Sequence, residues 1–117
     1  MAVLTVQNAA EAGGITFTAA AAGGDTFSND GKTIIVLWND DASLSVVTVT
    51  AQDTTATGAG FGAVTKADAT ESVEADSADV MGPFPVSAFN NASGAVAVGY
   101  SSVTDLEIAV IRVNGAI

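Results

Sequence analysis

The run Lys-Thr-Ile-Ile-Val-Leu-Trp at positions 32–38 constrains this chain more than any other stretch. On an extended backbone successive side chains point to opposite faces. Ile34, Val36 and Trp38 therefore share one side, and Ile35 and Leu37 share the other. A strand apolar on both faces is expected to sit centrally, with a layer against each side.

The same two-residue period returns along the chain, and a helical period is nearly absent. Residues 44–51 place Val47, Val49 and Ala51 inward and Thr48 and Thr50 outward. With the polar turn Asn39-Asp40-Asp41 between them, 32–38 and 44–51 read as a hairpin. The adjacent Val46 and Val47 suggest a bulge. Val96, Val98 and Tyr100 share one face of a strand whose other face is Ala95, Ala97 and Gly99, and Leu106, Ile108 and Val110 alternate with Glu107, Ala109 and Ile111. Weaker strands are expected at 3–7, 15–18, 61–66, 72–74 and 79–81, with a short helix at 68–79 as the other reading of that last stretch, on the capping-box spacing of Asp68 and Glu71. The Ala19 to Ala22 run before Gly23-Gly24 has room for one helical turn. Glycine-rich turns at 29–31, 58–62 and 90–94 separate these segments. The fold class expected is all-β: a single β-sandwich or jelly-roll-like domain of about eight or nine short strands over 15–117, with 1–14 a possible N-terminal arm.

Composition supports one core. The chain has 117 residues, of which Ala, Val, Thr and Gly make up 63, so bulk is scarce and strands and turns are favoured over helices. Against 13 acidic residues stand only Lys32, Lys66 and Arg112, a net charge of −10 that disfavours nucleic acid and anionic membranes as partners. With no His and no Cys, the common zinc ligands, Ser-His and Cys-His nucleophile pairs and disulfides are all excluded. No apolar run approaches the length that spans a bilayer, and positions 1–14 lack the pattern of a secretory signal, so cytoplasmic synthesis is expected. Only 14% of residues are charged, which suits a surface covered by partners.

Candidate chemistry is sparse. Asp25, Asn29 and Asp30 lie close enough in sequence to hold a hard cation, but Phe27 and Asp30 occupy positions that break an EF-hand loop, and a turn into the following strand is the better reading. No pair of carboxylates is singled out for glycoside hydrolysis. Gly58, Gly60 and Gly62 are followed by neither the helix nor the Lys-Ser/Thr pair of a phosphate loop. Asn91-Ala92-Ser93 matches a glycosylation acceptor without an export signal to make it meaningful. No catalytic residue, metal ligand or cofactor is assigned.

Two blocks carry a resemblance. Gly23-Gly24-Asp25-Thr26-Phe27-Ser28-Asn29-Asp30-Gly31-Lys32-Thr33, before an apolar strand, and Met81-Gly82-Pro83-Phe84-Pro85 with Phe89-Asn90, before two more strands, resemble small capsid decoration (cement) proteins of tailed bacteriophages. The resemblance implies a β-sandwich, without catalysis or cofactor, that binds the outside of a virion capsid and bridges subunits of the major capsid protein. A glycan-binding or adhesive module of a virion fibre or tail is the alternative. Self-association is expected, a trimer ahead of a dimer, since capsids offer local threefold positions.

Physically, those blocks read as structural. Gly31 can take positive φ beside Asn29 and Asp30, while Gly82, Pro83 and Pro85 hold Phe84 on a stiff extended segment where it and Phe89 close one end of the sandwich. A candidate capsid-contact arm is Val3, Leu4, Thr5, Val6 and Gln7, which alternates like a strand and precedes a small, polar stretch at 8–14. Such an arm can add to a neighbour's sheet edge. Pairing within its own sandwich is the other reading.

Overall fold

The computed structural model describes residues 2–8, 14–52, 55–58, 62–65 and 67–113. Twelve strands and one helical turn occur among them: β1 (Ala2–Val3), β2 (Val6–Asn8), β3 (Thr18–Ala19), β4 (Asp25–Ser28), β5 (Thr33–Asn39), β6 (Ser45–Val49), β7 (Thr55–Gly58), β8 (Gly62–Thr65), β9 (Ala69–Val73), β10 (Ser77–Met81), α1 (Val86–Phe89), β11 (Ala95–Tyr100) and β12 (Leu106–Arg112). They form an all-β sandwich. One sheet runs β1-β4-β11-β6-β9, the other β10-β5-β12-β2 with β3 also on β12, and β7 and β8 make a separate two-stranded ribbon.

The core lies between the sheets. β4 and β11 bring in Phe27, Val96 and Val98, β6 brings Val47 and Val49, β5 brings Ile35 and Leu37, and β12 brings Leu106, Ile108 and Val110. These β-branched and branched aliphatic residues interdigitate across a two-layer gap, and each fully buried one contributes on the order of 1.5–3 kcal/mol through removal from water.

Several expectations are corrected. Strands β5 and β6 are not a hairpin: β5 pairs with β10 and β12, and β6 pairs with β11 and β9, so the chain crosses from one sheet to the other between them. Both edges of β5 are already taken, and the buried Asn39 pins the crossing by donating to the carbonyls of Ser43 (2.9 Å) and Val73 (3.0 Å) while its Oδ1 accepts from the Asp41 N–H (3.0 Å). No bulge interrupts β6, whose register with β9 is continuous from Ser45 to Val49; Val46 simply faces outward. Although β5 is central in its sheet, only Thr33, Ile35, Leu37 and Asn39 face the core. Ile34, Val36 and Trp38 look outward, and among the described residues no third layer covers them.

The stretch 68–79 is strand, turn and strand, not a helix. Likewise Ala19 ends a short strand, and the residues before Gly24 make a turn closed by the Gly24 N–H on the Ala21 carbonyl (2.9 Å). The count exceeds eight or nine because β4 forms where a turn was expected, β7 adds a strand, and the segment 3–7 is split in two.

Candidate functional site

The two blocks, nearly fifty residues apart, meet at one end of the sandwich. The buried side chain of Asn29, just past β4, donates from Nδ2 to the Phe84 carbonyl (2.9 Å) and to Asn90 Oδ1 (2.8 Å). Its Oδ1 accepts from the Gly31 N–H (2.9 Å) and from the Thr33 hydroxyl. Asn90 returns the contact, its Nδ2 donating to the Asn29 carbonyl (2.8 Å). Every donor and acceptor of the Asn29 carboxamide is thereby used inside the fold.

Around this hub the turn geometry follows from residue type. Gly31 has φ +90°, as expected of the glycine beside Asn29 and Asp30. Asp30 accepts from the Lys32 N–H (3.0 Å) and from Arg112 Nε (2.5 Å), and the Arg112 guanidinium holds its carboxyl below the usual carboxylate range. Asp30 is exposed and Arg112 only half-buried, so the screened pair adds little to stability. Gly82 has φ +112°, and a Cβ there would lie 3.0 Å from the Thr33 carbonyl oxygen and 3.1 Å from Ile34 Cα, so the backbone of β5 admits only glycine. Gly82-Pro83 is a cis peptide. Phe84 is buried, its ring 6.0 Å from Phe27 and 5.4 Å from Phe89 in an edge-on arrangement. Phe89 sits at the end of the helical turn α1 and is buried beside Phe84.

The residues named as an arm straddle their own sandwich. β1 runs parallel to β4, and β2 runs parallel to β12 in the opposite sheet. Between them Leu4 is buried in the core, its N–H donating to the Thr26 carbonyl (2.8 Å), and Val6 packs against the core from the side. Gln7 clasps Thr16 through both its amide nitrogen (2.7 Å) and oxygen (2.8 Å). Val3 is 82% exposed and Thr5 is exposed. Internal pairing is therefore the arrangement of 2–8 in this structure.

One polar pair was not anticipated. Asp25, assigned to a turn from sequence, begins β4 and is fully buried; its Oδ2 accepts from the Tyr100 hydroxyl (2.6 Å) and the Ala21 N–H (3.2 Å). Oδ1 has no partner among the described residues. Burial and the adjacent Asp25 carboxylate push the Tyr100 phenol well above its ordinary range. The signal was legible in principle, since Phe27 points inward and Asp25, two residues earlier, shares its face. The cation candidates diverge accordingly: Asp25 lies in the core and Asp30 on the surface. Among the described residues no three acidic side chains converge as a metal site would need.

A shallow hollow of about 280 Å³ beside the hub is lined by Val6, Ser28, Asn29, Asp30, Thr33, Gly94 and Arg112. Asn29 and Asp30 already have internal partners there. No known protein family, no curated protein and no solved structure matches this chain.

Proposed function

We propose that this protein is a decoration protein of a tailed-phage capsid, made in the host cytoplasm and bound to the outer surface of the virion, where it reinforces the shell by bridging subunits of the major capsid protein. The observation that carries the reading is the Asn29 hub. The two blocks that resemble decoration proteins come together there, with the carboxamides of Asn29 and Asn90 holding each other and the Phe84 carbonyl. Side chains arranged in this way stiffen a module. Copies associate on the particle, a trimer ahead of a dimer.

Co-sedimentation of the purified protein with emptied, undecorated capsids tests the reading. Saturable binding in many copies per particle is expected. Failure to sediment with capsids, or a virion gel showing only a few copies, overturns it in favour of the fibre module, a reading that the solvent-exposed Trp38 favours because sugars stack on such rings.

A further inference from the structure

The free edges of the sandwich discourage strand addition. Edge strand β9 carries Glu71, which is exposed, and edge strand β10 carries Asp79, which is half-buried. Charged side chains on an edge strand oppose pairing with another chain. The opposite edges, β1 and β2, are only two and three residues long. A partner is left with the sheet faces.

The two faces differ in chemistry. The β1-β4-β11-β6-β9 sheet turns outward the hydroxyl side chains Thr26, Thr48, Thr70 and Ser72 together with Val46 and the small Ala95 and Ala97. The other sheet turns apolar side chains outward on β5 and β10: half-buried Ile34 and Val36, with exposed Val80 in register with Val36, while Ala109 and Ile111 beside them on β12 are buried. Val80 is 61% exposed and Val113 41%. At one end of this face Trp38, 37% exposed, is opposite Glu107 and shares a notch of about 100 Å³ with Asp40 and Asp105. The Asp40 N–H donates to the Asp105 carbonyl (3.0 Å), which ties the two acidic loops together. No cation lines the notch, so three like charges line it beside Trp38, whose ring face itself attracts cations.

We propose that the outer face of the β10–β5–β12 sheet is the docking surface of this protein, and that its occupant is a protein segment presenting a lysine or arginine among apolar side chains. The basic group seats against Trp38 between Asp40, Asp105 and Glu107, and the apolar neighbours cover Val36 and Val80. Charge complementarity selects this occupant: an apolar segment with an acidic residue at the same place is repelled by the notch. That the segment belongs to the capsid shell rests on the decoration reading; the chemistry of the seat does not.

Two measurements test it. Trp38 is the sole tryptophan, so its fluorescence reports the seat directly. Titration with the peptide acetyl-Val-Lys-Val-Thr-Val-amide should give a saturable change that its norleucine counterpart lacks, and the double variant Asp40→Asn/Glu107→Gln, which preserves shape, should weaken it roughly tenfold. An equal response to the two peptides overturns the proposal, as does no response, or a response to oligosaccharides that survives the double variant. In capsid co-sedimentation, Val80→Glu should weaken binding roughly tenfold or more, while Thr70→Glu on the opposite face should not, with circular dichroism confirming both folds. Loss with Thr70→Glu and retention with Val80→Glu overturns it. If the wild-type protein binds no capsid, the decoration reading fails and the peptide titration alone decides the seat.

Discussion

Removing the carboxamide of Asn29 would leave the Phe84 carbonyl and the Thr33 hydroxyl without their partner in a buried place. Unsatisfied buried polar groups cost about 1–3 kcal/mol each, more than the net worth of the bond that was lost. Asn29→Ala should therefore lower stability by about 2–4 kcal/mol, read as a fall in Tm of roughly 8–16 °C at about 4 °C per kcal/mol for a domain of this size. A Tm within a degree or two of wild type would show that the hub is not what joins the two blocks.

At Tyr100 the sign of the pH effect follows from which state holds the proton longer. Burial first, and the Asp25 carboxylate second, disfavour the phenolate in the folded protein. The unfolded chain releases this proton near the ordinary pH of about 10. The contribution to stability is thus complete below about pH 10 and is lost as pH rises beyond it. Because Tyr100 is the only tyrosine, absorbance at about 295 nm reads it alone. The phenolate should appear only with unfolding, and Tyr100→Phe should flatten the alkaline fall in stability while lowering stability at neutral pH by about 1–3 kcal/mol.

Among the elements, the strand edges carry the clearest prediction. Glu71→Val/Asp79→Val removes one carboxylate from each of the edge strands β9 and β10 while adding β-propensity. Light scattering should then show concentration-dependent association with an unchanged circular dichroism spectrum, whereas the wild-type chain stays dispersed. The N-terminal strands give a second test. Leu4 is core, and β1 and β2 each extend a different sheet, so deleting 1–8 should lower Tm by several degrees before any partner is involved. A deletion that leaves Tm unchanged would return this segment to the role of a free arm.

For the whole molecule, topology sets the pace of folding. β2 lies against β12 through Val6 and Val110, about a hundred residues apart, and β5 reaches β12 across roughly seventy-five. Such loops must close before the contacts they allow are gained, so refolding followed by Trp38 fluorescence should take roughly milliseconds to seconds, and a microsecond phase carrying the full amplitude would contradict the order of strands described.

Local alternation was enough to predict an all-β sandwich and the inward faces of β6 and β11, because side-chain parity on a strand depends only on neighbours in sequence, and glycine and proline chemistry was enough for the turn at Gly31 and the burial of Phe84 and Phe89. Parity does not say which strand lies alongside. Whether β5 pairs with β6 or arches over to the other sheet was decided by β10 and β12 occupying both its edges, and whether Ile34, Val36 and Trp38 are core or surface was decided by the absence of a third layer among the described residues. The same limit hid the site. Asn29 and Asn90 are unremarkable turn residues until sixty residues of chain are folded back to bring them together, and Asp25 is an ordinary turn acid until Tyr100 arrives across the sheet. Periodicity is a property of the chain; adjacency is a property of the packed layers, where hydrogen bonds between distant residues are satisfied only once water has been excluded.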